Sequence, residues 1–317
     1  FSAARAADFA RAGVEIAARL GADALAFGSE CGDLEALELR RARLDGEDLR
    51  ALAASLTETD PSLGATRACA RAYETLYGEE NLAAPNDILA VEYLRALAKC
   101  ENAPVPMAVR RVGHYKGGDG GYASASVLRR AYTERGLSVF RGQMPDGALT
   151  PLETAESAGL LGADGNRLTS AVLMKLSALR RAHAVGQALG GERAALERLC
   201  AVADRVRTLE GLFAAAASKR CTDASLRRAA LYALTDTTKT MLEQAPAYTR
   251  LFAANARGRA VLASAPRGYV LTKPADADKL ADGGAQFAAT FAAERAFALC
   301  FNGDYDFMRQ TPLIAED

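Results

Sequence analysis

Two hydroxyl side chains and an arginine lie together at a predicted helix start near the middle of the chain. Ser124 and Ser126 open the helix, and Arg129 lies on its first turn. A helix N-terminus offers unpaired N–H groups and a partial positive charge, hydroxyl groups donate to phosphate oxygens, and an arginine can bind phosphate through two hydrogen bonds. The pattern predicts a phosphate-binding site, and a serine N-cap beside a solvated arginine is the alternative.

Arginines and glycines at the ends of two predicted strands could complete this site. Arg110 and Arg111 close the second strand, which would point one of them over the same crevice and leave the other at the surface. Gly28 and Gly32 flank the loop after the first strand, where missing side chains would let an adenine or a ribose approach the backbone. An ordinary tight turn would explain both glycines equally well.

Asn86 and two histidines are further candidates for a polar binding site. Asn86 follows a proline and is predicted to be a helix N-cap, and its amide could also bind a base or ribose edge. The histidines are His114, which could border the pocket, and His183, which we interpret as solvated. Two separated histidines make neither a metal cluster nor a Ser-His-Asp triad, so the sequence predicts no metal site.

A second predicted helix start, near residue 223, is strongly basic. The cations around it are Arg205, Arg207, Lys219, Arg220, Arg227 and Arg228. A nucleic-acid phosphate backbone would suit such a patch. The alternative is a solvated, charged helix face, since short basic runs are common.

The overall composition excludes a strongly basic or strongly acidic protein. The chain has 39 basic and 39 acidic side chains among 317 residues, so any basic surface must be local. Its six cysteines are scattered, without a C-x-x-C pair, which predicts reduced thiols and a cytoplasmic location. No apolar stretch approaches the roughly 18 residues of a membrane span, and the first residues do not look like a signal peptide.

The elements that must position the first group of candidates alternate between strands and helices. Short apolar runs at 24–27 and 105–112 predict buried parallel strands, and glycines bound the first of them. Helices are predicted, in chain order, at 3–20, from residue 34, at 47–57, at 65–77 and after Pro85-Asn86. This alternation predicts an α/β domain with a doubly wound parallel sheet, whose ligands bind beyond the carboxyl ends of the strands.

The pattern changes near residue 149, where alanine-rich helices begin to follow one another. They are predicted at 152–160, 168–187, 191–217, 223–234 and 284–300. We therefore predict two domains: the α/β domain at 1–148 and an all-helical domain at 149–317.

Five segments, in this order, resemble the bacterial tRNA(Met) cytidine acetate ligase family: FGSECGD, APNDILAVEYLRAL, VRRVGHY, YASASVLRRA and LEGLFAAAASKRCTDASLRRAALYALTDTT. The resemblance covers nearly the whole chain. It implies an HxGH-type nucleotidyltransferase domain joined to a helical tRNA-binding domain. Such an enzyme uses ATP, accompanied by Mg²⁺, to convert acetate into acetyl-adenylate, and then acetylates the wobble cytidine of elongator tRNA(Met) to N4-acetylcytidine. From the sequence we predict no membrane association and no protein partner.

The resemblance also assigns roles to residues. The family's ATP-binding and triphosphate-contacting positions fall on Gly28, Asn86, Arg111, Ser124, Ser126 and Arg129. Its tRNA-binding positions fall on Lys219, Arg220, Arg227 and Arg228. Arg110 is an alternative to Arg111, because the gap before the following His-Tyr pair leaves the alignment open.

The chain departs from the family at its start. The family opens with a strand and an HxGH loop, followed by a second loop of the type S-G-N-F-x-Q-R-G, and these 317 residues contain neither. The resemblance therefore implies catalytic histidines upstream of Phe1 and none within the chain. We expect the 317 residues alone to be poorly soluble and inactive. The alternatives are a nucleotidyltransferase acting on a small metabolite, and a non-catalytic RNA-binding protein that has lost the loop.

Overall fold

The computed structural model describes residues 1–61, 63–78, 84–111, 123–186, 190–218, 221–280, 283–304, 306 and 310–315. Its first part contains strands β1 (Ala24–Ser29) and β2 (Val105–Arg110) and helices α1 (Ala6–Arg19), α2 (Leu34–Asp45), α3 (Glu47–Thr59), α4 (Ala65–Tyr77), α5 (Pro85–Leu97) and α6 (Ala125–Arg135). The two strands pair in parallel over their whole length, with Ser29 opposite Arg110. The prediction of an α/β architecture with parallel strands is confirmed.

Helices α1, α2 and α5 pack together on one face of the β1–β2 pair. Val14, Phe27, Leu37, Val91 and Leu94 form the centre of this core and are almost completely buried. The inward residues of β1 alternate with outward ones, as the period of a strand requires. This packing aligns the N-terminus of α5 with the carboxyl end of β1.

The opposite face of the two strands is apolar and exposed. Val105, Met107 and Val109 are 64%, 52% and 54% exposed, and Ala26 and Gly28 of β1 lie exposed on the neighbouring strand. The described helices of the first part therefore leave one face of this strand pair open.

The second part is mainly helical. It contains α7 (Leu149–Ser157), α8 (Thr169–Arg181), α9 (Arg193–Val202), α10 (Leu209–Ala216), α11 (Asp223–Thr235), α12 (Lys239–Glu243), α13 (Ala256–Ser264) and α14 (Gly283–Ala298), with strands β3 (Thr249–Arg250), β4 (Ala253–Ala254), β5 (Val270–Leu271) and β6 (Leu313–Ile314). Its core is built on α8 to α11 around Leu176, Leu196, Leu199, Leu212 and Leu226.

Two sequence predictions for this part need correction. The single helix predicted at 191–217 is two helices, because residues 203–205 tighten into a 3₁₀ turn and Thr208 starts a new helix by accepting a hydrogen bond from Gly211 N at 3.0 Å. The four short strands were not predicted at all. Each has two residues, too few for a period to be recognised.

A buried carboxylate joins the start of the chain to the helical part. Glu192 is 6% exposed and accepts hydrogen bonds from Arg5 Nε and Arg228 Nε at 3.0 Å each and from Ser225 Oγ at 2.5 Å. Burial by itself raises the pKa of Glu192, but the donors Ser225, Arg5 and Arg228 outweigh it and hold that pKa below its ordinary value. Glu192 is thus ionised and fully engaged at this junction.

Within the described part of the chain, no helix combines the length and the apolar character that crossing a bilayer would require.

Candidate functional site

The loop that follows β1 folds back onto the N-terminus of α5. Asp87, in the first turn of that helix, is 4% exposed, and its Oδ1 accepts three hydrogen bonds from the loop. The donors are Ser29 Oγ at 2.5 Å, Glu30 N at 2.8 Å and Cys31 N at 3.2 Å. The Ser29 hydroxyl, fully buried, accepts in turn from Gly32 N at 3.0 Å. One carboxylate of the helix therefore fixes the backbone of the whole loop.

The loop also binds the helix, through the carboxylate of Glu30. Glu30 Oε2 accepts from Asp87 N at 2.9 Å, and Glu30 Oε1 accepts from Asn86 Nδ2 at 2.7 Å. The bond from Asp87 N, and a longer one of 3.4 Å from Asn86 N to Glu30 Oε1, satisfy N–H groups that the first turn of a helix otherwise leaves free. Glu30 also places a negative charge at the positive end of the helix. We call this reciprocal arrangement of Glu30 and Asp87 the carboxylate lock.

The prediction that Asn86 is the N-cap of α5 is wrong. The helix begins at Pro85, Ala84 occupies the N-cap position without a side-chain hydrogen bond, and Asn86 lies inside the first turn. Proline takes the first helical position readily, because its fixed φ suits the helix and its missing N–H would have no partner there. Glu30 supplies the cap from the neighbouring loop, so the Asn86 amide is held at the carboxyl edge of the strands.

The two arginines at the end of β2, Arg110 and Arg111, have different neighbours. Arg111 N donates to Ser29 O at 2.8 Å, and Arg111 Nη1 lies 3.9 Å from Glu30 Oε1, beside the lock. Arg110 packs its stem under the loop: a Cβ on Gly32 would lie 2.9 Å from Arg110 Cα, and Gly32 has φ +62°. Arg111 is therefore the arginine of this pair that faces Asn86 through Glu30.

The two glycines of the loop also differ. Gly32 has the positive φ that a tight turn requires, which matches the structural alternative for it. Gly28 lies inside β1, so the tight-turn explanation is wrong for this residue. A Cβ built on Gly28 meets no atom of the described residues within 4 Å, and the residue is exposed. The described residues therefore leave the strand end beside the lock open to an approaching molecule.

The helix start predicted to bind phosphate is the start of α6, and the serine N-cap of the alternative interpretation is present there. Ser124 is its N-cap, 7% exposed, and its hydroxyl oxygen accepts from Val127 N at 3.4 Å. Ser126 is exposed in the first turn, and Arg129, predicted in that turn, is the fifth residue of the helix and lies exposed at the start of the second turn. Among the described residues, no hydrogen bond or ion pair joins this helix start to the loop after β1. His114 lies outside the described residues.

The predicted basic patch of the second part is only partly visible. Lys219 and Arg220 lie outside the described residues. Arg227 is exposed, pairs with Asp223 at 2.6 Å and lies 4.7 Å from the centroid of the Phe213 ring. Arg228 turns inward to Glu192 and is 25% exposed. Arg227 remains available at the surface, whereas Arg228 is held by a buried carboxylate.

His183 is exposed, as predicted, at the end of α8. It borders a cleft of about 580 Å³ together with Arg180, Arg181, Val185 and Asp204. Over the described part of the chain, no three His, Cys, Asp or Glu side chains are grouped so that they could hold a metal ion.

Sequence reasoning missed the residues that organise the site. Glu30 lies in the segment FGSECGD and Asp87 in APNDILAVEYLRAL, but neither was predicted to be a site residue. The available signal was an acid inside the first turn of a helix, where it complements the helix dipole, together with an acid in a glycine-flanked loop after a strand. Their pairing could not be read, because 57 residues separate Glu30 N from the carboxylate that it contacts.

The family model for HIGH nucleotidyl transferases matches residues 1–311, which is nearly the whole chain. The chain belongs to this family. The carboxyl edge of β1 and β2, with its lock and its open glycine, is therefore the corresponding edge of a HIGH nucleotidyl transferase sheet.

Within the HIGH nucleotidyl transferases, the chain is similar to curated relatives that share one name. The chain is 29% identical over 254 residues to the tRNA(Met) cytidine acetate ligase of Caldanaerobacter subterraneus, covering 76% of the chain and 61% of the relative. It is 31% identical over 282 residues to the enzyme of the same name from Syntrophotalea carbinolica, covering 84% of the chain and 65% of the relative. The chain thus spans somewhat less than two thirds of the length of these relatives.

Two solved structures of Thermotoga maritima TmcAL share the fold. The apo form aligns with a TM-score of 0.82, and the form bound with alpha-thio ATP aligns with a TM-score of 0.78. Each alignment covers 98% of the chain at 19% sequence identity, with 82% and 81% of the respective TmcAL chains covered. At this identity the likeness establishes the architecture, and it confirms the fold class of this HIGH nucleotidyl transferase.

Proposed function

We propose that this chain forms the ATP-binding and tRNA-facing parts of a tRNA(Met) cytidine acetate ligase. The enzyme would form acetyl-adenylate from ATP and acetate and pass the acetyl group to the wobble cytidine of elongator tRNA(Met). The observation that carries the proposal is the carboxylate lock, which holds an amide and an arginine beside an open strand end in a HIGH nucleotidyl transferase. The identities of the acyl group and of the tRNA are taken from the name of these relatives.

The edge of the β1–β2 pair suits the nucleoside end of ATP. Asn86 Nδ2 donates to Glu30, while Asn86 Oδ1 accepts no hydrogen bond from a described residue. That oxygen can accept from an adenine amino group or a ribose hydroxyl. Gly28 leaves space for the ring to approach the backbone. The residues present therefore fit an adenosine.

Cations at the same edge and at α6 suit the triphosphate. Arg111 is 30% exposed and lies 3.9 Å from Glu30 Oε1, and a guanidinium can bind a phosphate through two hydrogen bonds. Ser126 is exposed in the first turn of α6, where the helix N–H groups also point outward, and Arg129 is exposed at the start of the second turn. We assign the phosphates to these groups, with Ser124 fixing the helix start and Mg²⁺ accompanying the nucleotide.

The chemistry would consist mainly of positioning and charge stabilisation. The acetate oxygen attacks the α-phosphorus, pyrophosphate leaves, and the cytidine N4 amine then attacks the acetyl carbonyl with release of AMP. The residues of this chain orient the nucleotide and neutralise the phosphate charges. We assign no proton transfer to any of them.

The tRNA would lie along the basic surface of the helical part, predicted here as residues 149–317. Lys219, Arg220 and Arg227 are assigned to its phosphates, because such contacts give most of the affinity and its salt dependence. Arg228 is assigned an indirect role, since Glu192 holds its guanidinium.

The proposal is tested by acetate-dependent exchange of pyrophosphate into ATP, measured on the full-length protein. Arg111→Ala should lower kcat/KM for ATP by roughly 10- to 100-fold, the value of a hydrogen bond to a charged group. Arg110→Ala is the matched control and should have a much smaller effect, because that side chain packs under the loop. Equal losses in the two variants would refute the assignment of Arg111. Exchange without any binding of tRNA would favour a nucleotidyltransferase acting on a small metabolite.

A further inference from the structure

Among the described residues, the Glu30 carboxylate meets only hydrogen-bond donors. Its Oε1 accepts from Asn86 Nδ2 at 2.7 Å and from Asn86 N at 3.4 Å, and its Oε2 accepts from Asp87 N at 2.9 Å. Arg111 Nη1 also lies 3.9 Å from Oε1. Both carboxylate oxygens therefore face N–H groups, and Glu30 acts as an acceptor in each of these contacts.

This environment fixes the orientation of the Asn86 amide. The side chain of an asparagine ends in an oxygen, which only accepts hydrogen bonds, and an NH₂ group, which only donates them. If the amide were turned over, its oxygen would face Oε1 of Glu30, and two acceptors would oppose each other. Glu30 therefore holds the NH₂ group toward itself and directs Asn86 Oδ1 away from itself.

The oxygen that is directed away has no partner in the described part of the chain. Asn86 is half-buried, and no described residue donates a hydrogen bond to its Oδ1. Polar atoms that are withdrawn from water are normally hydrogen-bonded, so an acceptor left in this position suits a donor on a ligand. The Asn86 amide is thus oriented by the protein on one side and available to a ligand on the other.

A fixed amide orientation matters for some ligand groups and not for others. A ribose hydroxyl both donates and accepts, so it can bond to either end of an asparagine amide. The edge of a purine carries groups of fixed character: the amino group of adenine donates, whereas a carbonyl oxygen at the same ring position accepts. An amide held with its oxygen toward the ligand therefore distinguishes between bases but not between hydroxyl groups.

We infer that Glu30 sets the base specificity of the nucleotide site, by holding Asn86 so that Oδ1 accepts a hydrogen bond from the amino group of adenine. Glu30 is a positioning residue, because it acts through Asn86 and does not itself touch the base. A purine with a carbonyl oxygen in place of the amino group loses this hydrogen bond and sets an acceptor against Oδ1. The site accordingly prefers ATP to a nucleotide with a 6-oxopurine base.

This inference rests on the proposed function, because it requires the nucleoside end of ATP to lie at the carboxyl edge of β1 and β2. It goes further by naming the atom that reads the base and the residue that orients this atom. The cytosine of an RNA substrate also carries an amino group. Binding of free nucleotides without RNA separates the two sources of that group.

The test compares the affinities of ATP and inosine triphosphate (ITP) for the full-length protein, by isothermal titration calorimetry without RNA or acetate. ITP carries a carbonyl oxygen where ATP carries the amino group. The unmodified protein should bind ATP about tenfold more tightly than ITP, as expected for the loss of one hydrogen bond.

Glu30→Gln is the decisive variant. A glutamine can present either an oxygen or an NH₂ group, so the Asn86 amide is no longer held in one orientation. The affinity for ATP should fall and that for ITP should rise until the two are nearly equal. Asp87→Asn is the matched control, since it makes the same change of carboxylate to amide in the other half of the lock. The Asp87 oxygen binds Ser29 and the N–H groups of Glu30 and Cys31, not the Asn86 amide, so this control should keep the preference for ATP.

A second variant tests the reading atom without altering either carboxylate. Asn86→Ala should weaken the binding of ATP by about tenfold and leave that of ITP nearly unchanged, because only ATP uses Oδ1. Thermal unfolding of each variant checks that the fold is kept. Asn86→Ala also keeps the inference testable if Glu30→Gln does not fold.

Two results would overturn the inference and leave the proposed function intact. The first is a preference for ATP over ITP that Glu30→Gln and Asp87→Asn change alike, which would mean that Glu30 only stabilises the loop. The second is a preference that Asn86→Ala leaves unchanged, which would mean that Oδ1 binds a ribose hydroxyl or the cytosine of the RNA. A full-length protein that binds no ATP at all would overturn both the inference and the proposed function.

Discussion

Removing the Asp87 carboxylate should damage the protein more than removing any other single acid at the candidate site. Asp87→Ala leaves three donors without their acceptor: the Ser29 hydroxyl and the N–H groups of Glu30 and Cys31. Each unsatisfied donor costs about 1–3 kcal/mol, less where the group can reach water. Two of the three are only partly buried, so we expect a loss of about 3–5 kcal/mol in the free energy of unfolding.

The measurement is urea unfolding followed by circular dichroism, with Asp33→Ala as control. Asp33 also accepts two backbone hydrogen bonds through one oxygen, from Glu35 N and Ala36 N, but it is an exposed helix cap. Loss of such a cap costs roughly 1 kcal/mol. Asp87→Asn keeps one acceptor oxygen and should cost less than Asp87→Ala. If Asp87→Ala and Asp33→Ala were destabilised equally, the carboxylate lock would not be an organising element.

Two further predictions concern backbone conformation and pH. Gly32→Ala should lower the free energy of unfolding by about 1–3 kcal/mol more than Gly78→Ala does, because both residues have positive φ but only Gly32 lies against Arg110; equal values in urea titrations would contradict this. The lowered pKa of Glu192 means that its stabilisation is present above the ordinary glutamate pKa and is lost as the pH falls through the lowered folded value. Stability should therefore fall below about pH 4.3, and Glu192→Gln should weaken that dependence, as acid titrations of unfolding would show.

The local elements of the first part were predictable. β1 is a short apolar run between glycines, and its sequence cannot form a helix of useful length. The apolar residues of α1, α3 and α4 follow the helical period, and Ser124 is the N-cap that its position before α6 suggests. Each of these features depends on residues within a few positions of one another.

Features that join distant residues were not predictable. Glu30 contacts Asp87 across 57 residues, and Arg228 contacts Glu192 across 36. Nothing in either local segment indicates that Arg228 points inward while Arg227 stays at the surface. The Asn86 cap failed for a related reason, since a carboxylate from another segment supplies that function.

We propose that a protein containing this chain makes N4-acetylcytidine in elongator tRNA(Met). The most direct measurement is mass spectrometry of tRNA(Met) after incubation with the full-length protein, ATP and acetate. We predict N4-acetylcytidine at the wobble position, dependent on both ATP and acetate and strongly reduced by Arg111→Ala. Unmodified tRNA(Met), from a preparation that still exchanges pyrophosphate into ATP in the presence of acetate, would contradict it.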